Sequence, residues 1–156
     1  MTDKAPSFPA PRSSEALEEG LELTPRFDGN GGIAAVATDA DTGEVLMLAW
    51  MNAEALAQTI RTGEAHFWSR SRGRIWKKGE ESGNVLRVIE LRTDCDQDAV
   101  WLRVKITGHG AACHTGHRTC FYRSIPVGGG SEAVSLVHAG TPRAFDPAQV
   151  YGKPKA

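Results

Sequence analysis

Asp94-Cys95-Asp96-Gln97-Asp98-Ala99-Val100-Trp101-Leu102-Arg103-Val104-Lys105-Ile106 begins with carboxylates at alternate positions and continues as an alternating segment. Val100, Leu102, Val104 and Ile106 share one side, and Trp101, Arg103 and Lys105 share the other. That two-residue period predicts a half-buried strand from Ala99 to Ile106. Asp94, Asp96 and Asp98 share the parity of Val100, so a straight strand aims all three to one side, with Cα spacings of roughly 6.5–7 Å. Three like charges so placed favour a counter-cation, and their hard oxygens suit a divalent ion such as magnesium. The same triplet also reads as a solvated acidic turn. Cys95 has the opposite parity and belongs to the other face.

Downstream lies Cys113-His114-Thr115-Gly116-His117-Arg118-Thr119-Cys120-Phe121, which holds the other two of the chain's three cysteines. Gly108, Gly110 and Gly116 permit a tight irregular loop there. Three thiolates with an open fourth position describe a catalytic zinc site. A fourth ligand from His109, His114 or His117 would make the site structural, and cysteines that merely fill the core are a third reading. Thiolates suit zinc and carboxylates a harder ion, so the two sets can partition two metals. His114, beside Cys113, can act as general acid or base, or stand as an ordinary loop histidine.

Upstream, Val85 to Arg92 reads as extended, and its alternation slips between Val88 and Ile89, which suits a bulge. Before it runs Trp68-Ser69-Arg70-Ser71-Arg72-Gly73-Arg74, then Trp76-Lys77-Lys78-Gly79-Glu80-Glu81-Ser82-Gly83-Asn84. Arg forks and Ser hydroxyls suit phosphate oxygens, and the two Trp rings offer surfaces on which a base can stack. A solvated basic hairpin is the alternative. So short a patch fits one nucleotide better than a polymer.

Ile33 to Thr38 and Val45 to Trp50 are apolar runs separated by Asp39-Ala40-Asp41-Thr42-Gly43, a hairpin signal. Both strands are expected to be covered on both faces. Asn52 is the expected N-cap of a helix whose face is Ala53, Leu56, Ala57 and Ile60, with Gly63 at its stop. Residues 1–20 read as a flexible, proline-bearing leader in which Ser14 caps a short helix with Leu17 and Leu21 on one side. Residues 124–156 form an extension with a linker at Gly128-Gly129-Gly130-Ser131.

The 156 residues suggest one domain, and a net charge of −1 supplies no field for nucleic acid or an acidic membrane. An odd cysteine count fits a reduced compartment, and no apolar run approaches the ~18 residues of a membrane span, so the cytoplasm is expected.

Taken in order, Leu46-Met47-Leu48-Ala49-Trp50-Met51-Asn52, Phe67 to Arg72, Trp76 to Asn84, Asp94 to Asp98 and Cys113 to Phe121 resemble the phosphoribosyl-AMP cyclohydrolase family over residues 21–123. The resemblance implies an α+β, predominantly β subunit in an intertwined homodimer. It implies zinc on Cys95, Cys113 and Cys120, drawn from both subunits, and magnesium on Asp94, Asp96 and Asp98. Substrate contacts are expected from Trp68, Ser69, Arg70, Ser71, Arg72, Trp76, Lys78, Gly79, Glu80, Ser82 and Gly83. The implied reaction opens the adenine ring of phosphoribosyl-AMP at N1–C6, the third step of histidine biosynthesis. Zinc is expected to lower the pKa of water from ~16 toward ~7, and His114 to move the proton. The Asp–magnesium cluster and the Ser69–Arg72 loop are expected to hold the substrate's two phosphate-bearing ends. A zinc-stabilised module that only grips a nucleotide, and a zinc deaminase, are the rival readings.

Overall fold

The structure is a computed structural model that describes residues 6–152; the first five residues of the expected leader and the last four of the extension lie outside the described residues. A four-stranded sheet in the order β2-β1-β6-β5 carries the fold. Its strands are β1 (Ile33–Asp39), β2 (Val45–Met51), β5 (Leu86–Thr93) and β6 (Ala99–Ile106). The expected hairpin pairs β1 with β2. Asp39 Oδ1 accepts from the amides of Asp41 and Thr42 in its turn, and Gly43 takes φ +77°, so aspartate and glycine there do what turn chemistry requires. β1 and β6 run parallel, Ala35 opposite Val100 and Ala37 opposite Leu102, a long-range pairing that local sequence does not announce. β5 pairs antiparallel with β6, and its register shifts between Val88 and Glu90, as the slipped alternation requires.

Val100, Leu102 and Val104 are buried, with Ile106 packed against them, so the alternation of β6 holds. They join Ile33, Leu46, Met51, Leu56, Phe67 and Leu86 in one core. Each such fully buried large side chain contributes about 1.5–3 kcal/mol. The apolar character of β2 does not mean two covered faces: Val45 and Leu48 are exposed, because nothing among the described residues covers that part of the strand.

Helix α2 (Ala53–Thr62) is capped as expected, Asn52 accepting from the Ala55 amide and Gly63 closing the end in the left-handed region. Its buried face is Ala55, Leu56 and Thr59, and Ile60 is 49% exposed. The reason is polar. Thr59 Oγ1 donates to Ala55 O at 2.8 Å and accepts the His66 amide at 3.0 Å, which turns Thr59 inward to fasten the helix to the next strand. That strand, β3 (His66–Ser69), pairs with β4 (Arg74–Lys77) in a second, two-stranded sheet.

Helix α1 (Ser14–Glu19) is capped by Ser13, not Ser14, and Leu21 is fully exposed, so Leu17 and Leu21 make no common face. The glycine run of the extension turns a small hairpin, β7 (Arg123–Ser124) against β8 (Val137–His138), in place of a linker. Helix α3 (Pro147–Tyr151) follows.

Candidate active site

The cysteine–histidine loop is held at both ends. Gly108 and Gly110 leave β6 with positive φ, and a Cβ on Gly108 would lie 2.6 Å from Asn84 Oδ1. That oxygen accepts the His109 amide at 2.7 Å, and Asn84 is fully buried, so it joins the loop after β4 to the loop after β6. At the other end Thr119 Oγ1 donates to Val45 O at 2.7 Å, and the Cys120 amide donates to Leu46 O at 2.7 Å. The loop thereby takes up edge carbonyls of β2. Arg118 clamps its middle to the β1–β2 turn, through Asp39 at 2.6 Å and Glu44 at 2.9 Å.

This scaffold brings Cys113 and Cys120 close enough for each to shift the other's titration. Cys120 hydrogen-bonds to Cys113 and pulls its pKa down to about 5; burial opposes the shift, while the Thr115 hydroxyl and amide assist. Cys120 is pushed up by that same bond, by burial and by the Cys113 charge. Thr115 Oγ1 gives its proton to Cys113 Sγ at 3.0 Å and accepts from His117 Nδ1 at 2.9 Å. His117 is buried and stacked on Tyr122 at 3.7 Å, and its pKa is lowered, by burial first and then by nearby Arg143 and His138. Lys78 is half-buried beside the thiols; burial lowers its pKa and the two sulfurs partly oppose that.

Three adjoining cavities form a trough across this face. The central one, about 290 Å³, is lined by Arg72, Trp76, Lys78, Gly79, Glu80, Ser82 and His114 among others. It shares Arg72 and Trp76 with a cleft of about 470 Å³ that carries Trp68, Ser69, Arg70 and Ser71, where Arg70 lies 4.8 Å over the Trp50 ring. It shares Glu81, His114 and Tyr151 with a third cavity of about 640 Å³ on the side of α3. All but one of the residues expected at the substrate thus line one continuous surface. The exception is Gly83, which turns the loop at φ +79° and gives its carbonyl to Thr107. Gly79 is required by packing as well, since a Cβ there would meet the Asn84 backbone at 2.4 Å.

The carboxylates converge, but not as a strand. β5 ends at Thr93, and residues 94–98 make a turn in which Gln97 takes φ +56°. Asp94 Oδ1 accepts from the amides of Asp98 and Ala99, which folds the three side chains together. Oxygens of Asp94, Asp96 and Asp98 lie within 4.8 Å of one another. The inference from parity, that magnesium and cysteine ligands occupy opposite faces of a continuing strand, therefore fails: a tight turn has no alternating faces. Asp94 is lowered, its burial outweighed by bonds from Asp98 and the two amides. Asp98 is raised, by its hydrogen bond to Asp94 first and by Asp96 next. A divalent cation fits this arrangement, since it would take the place of the shared proton.

Cys95 sits exposed in that acidic turn and does not join Cys113 and Cys120 within the chain. Leu46, which anchors Cys120, and Ala99, beside the turn, are two strands and about four residues apart, roughly 15 Å. Zinc–sulfur bonds of about 2.3 Å cannot bridge that gap inside one subunit. Within one copy the three cysteines do not assemble into a zinc donor set.

Sequence reasoning named His117 only as a possible fourth zinc ligand, and did not single out Thr115, Arg118, Gln97, Arg143 or Tyr151. Gln97 is buried, accepting the Thr24 amide and donating to Leu17 O and Glu22 O, so it fastens the N-terminal segment to the acidic turn. The hydroxyl of Thr115 could have been flagged from its place between the cysteines. Nothing in the local sequence marks Arg143 or Tyr151.

The family described as PRA-CH, phosphoribosyl-AMP cyclohydrolase, matches residues 47–122. The chain is 57% identical over 150 residues to a phosphoribosyl-AMP cyclohydrolase of Sinorhizobium fredii, covering 96% of this chain and 97% of the relative. It is 54% identical over 153 residues to one of Rhodopseudomonas palustris, covering 98% and 100%. A third, of Nitrobacter hamburgensis, is 57% identical over 148 residues, covering 94% and 98%. Identity of this extent, spanning the turn, the loop and the trough together, means that the chain belongs to the phosphoribosyl-AMP cyclohydrolase family.

Proposed function

We propose that the chain opens the adenine ring of 1-(5-phosphoribosyl)-AMP by hydrolysing its N1–C6 bond, the third step of histidine biosynthesis. The observation that supports this best is the trough, which in a member of this family carries His114 and Lys78 beyond the Ser69–Arg72 cleft, with Lys78 close to the thiol pair. The substrate's reacting ring lies between two phosphate-bearing ends, and the order of groups along the trough matches that order.

Cys113 and Cys120 with Cys95 of a second copy would hold zinc, whose Lewis acidity when bound supports attack by water at C6. Asp94, Asp96 and Asp98 would hold magnesium. Trp68 and Trp76 offer faces for the purine, and Ser69, Arg70, Ser71 and Arg72 hold a phosphate. Lys78, Gly79, Glu80 and Ser82 form the wall around the ring, and Gly83 turns the loop that carries them. His114, exposed into the trough, takes the proton from the attacking water and returns one to the departing N1. The positive charge that the phosphoribosyl group places on the ring makes C6 the electrophile.

Exposed Val45, Leu48 and Phe121 near the thiol loop suit an intertwined homodimer that shares the zinc ligands. We read 21–123 as the catalytic domain, after a leader of 1–20 and before an extension of 124–156. Free cysteines and a biosynthetic role fit the cytoplasm. Among the described residues no helix is long and apolar enough to cross a membrane.

The test is ring opening followed by absorbance with purified protein, zinc and magnesium. Turnover that disappears on chelation and returns with zinc supports the reading; no turnover with both metals present sinks it.

A further inference from the structure

The C-terminal tail lies outside both the family match and the motifs, and it packs directly on the cysteine–histidine loop. β8 pairs with β7, and the Ala139 amide donates to Tyr122 O at 2.8 Å. Gly140 lies so close to Tyr122 that a Cβ would meet its Cβ at 2.9 Å. The Ala144 amide donates to Gly116 O at 2.7 Å, and Gly116, at φ +89°, leaves no room for a Cβ against Phe145 O. Phe145 is 8% exposed, its ring 5.0 Å from that of His109 and 6.2 Å from that of Tyr151. The tail is thus fixed at several points between Tyr122 and Tyr151. The similarity to the Rhodopseudomonas palustris relative, at 98% of this chain, extends over it.

What the tail delivers is one wall of the trough. Arg143, Asp146 and Tyr151 line the third cavity together with His114 and Glu81. The other end of the trough is cationic through Arg70 and Arg72. At the tail end the two carboxylates must be weighed against Arg143. Asp146 is committed to its own helix, accepting the Ala148 amide at 2.9 Å. Neither Asp146 nor Glu81 forms an ion pair with Arg143, and among the described residues Arg143 has no hydrogen-bond or ion-pair partner. An unpaired guanidinium held by a fixed backbone, at the opposite end of a trough from a second guanidinium pair, is a ready phosphate fork.

We propose that Arg143 binds one of the two phosphate groups of the substrate, with Arg70 and Arg72 taking the other. This rests on the substrate named under Proposed function. It changes the expectation from sequence that the Ser69–Arg72 loop and the Asp–magnesium turn divide the two ends, since that turn lines none of the three cavities of the trough. His114 then stands between the two anchors, against the ring.

The experiment compares the metal-loaded full chain with Arg143→Ala, Arg143→Gln and Arg143→Lys, measuring KM, kcat, zinc content and melting temperature, and titrating phosphoribosyl-AMP directly. A lost charge-assisted bond to phosphate predicts KM raised about tenfold to a hundredfold in Arg143→Ala and Arg143→Gln, with kcat much less affected. Arg143→Lys is expected to recover part of the loss, with zinc content unchanged in all three. KM within about twofold of the unmodified chain, or a fall in kcat that follows lost zinc, overturns the proposal. Should Arg143→Ala fold poorly, the less truncating Arg143→Gln decides. An unmodified chain that binds the substrate without opening it refutes the activity, and the binding titration still decides Arg143. An unmodified chain that does not bind it refutes both.

Discussion

Arg118 Nη2 meets Asp39 Oδ2 at 2.6 Å, across 79 positions of sequence, and so ties the cysteine loop to the first turn of the sheet. Burial raises the Asp39 pKa, but the amides of Thr42 and Asp41 and the Arg118 guanidinium outweigh it, and the net shift is downward from 3.8. A carboxylate depressed in the folded state adds stability above its unfolded pKa and loses it as pH falls through the folded one. Asp39→Asn should therefore cost about 1–2 kcal/mol at neutral pH. The gap to the unmodified protein should close as pH drops below about 4. Urea denaturation at neutral and acid pH measures this; a gap that is constant with pH would show that the charge is irrelevant.

Gly79 and Gly83 make a paired test of the substrate loop. Both have positive φ, at +86° and +79°, but a Cβ on Gly79 would strike the Asn84 backbone and one on Gly83 would meet open space. Gly83→Ala should cost about 1 kcal/mol of conformational strain and leave KM nearly intact. Gly79→Ala should displace the wall of the central cavity and raise KM about tenfold or more. Equal effects in steady-state kinetics would contradict the packing argument.

The acidic turn should bind a divalent cation with release of protons. Asp98 is raised by sharing a proton with Asp94 and Asp96, and a cation displaces that proton. Magnesium affinity should accordingly fall as pH is lowered through the raised Asp98 value. Asp98→Asn should weaken binding about tenfold or more. Calorimetry in two buffers of different ionisation enthalpy reads the proton release directly, and identical heats in both would rule out the exchange.

The three thiols should behave as one site only in the assembly. Cys95→Ser, Cys113→Ser and Cys120→Ser should each abolish zinc retention. Mixing Cys95→Ser with Cys113→Ser should restore one intact site in each mixed dimer, about a quarter of full activity after random exchange. Recovery in the mixture, measured with zinc content, requires ligands from both subunits. No recovery after confirmed subunit exchange would exclude the shared site.

Much of this was legible in sequence because it is written in local patterns. The alternation of Val100, Leu102 and Val104 fixed the face of β6, and Asn52 and Gly63 fixed the ends of α2. Where the reading failed, a distant partner had intervened. Thr59 displaces Ile60 from the buried face of α2 because it receives the His66 amide. The acidic triplet converges through the left-handed Gln97 and the Asp94 turn, not through strand parity. The parallel pairing of β1 with β6 and the tail's seat on Gly116 are contacts between segments remote in sequence, and no periodicity encodes them.

The most direct test of the account is the product. Purified chain loaded with zinc and magnesium should convert phosphoribosyl-AMP into a species heavier by one water, with no ammonia released, and His114→Ala should slow that conversion about a hundredfold or more while keeping its zinc. Unchanged substrate, or a product formed with loss of ammonia, would contradict it.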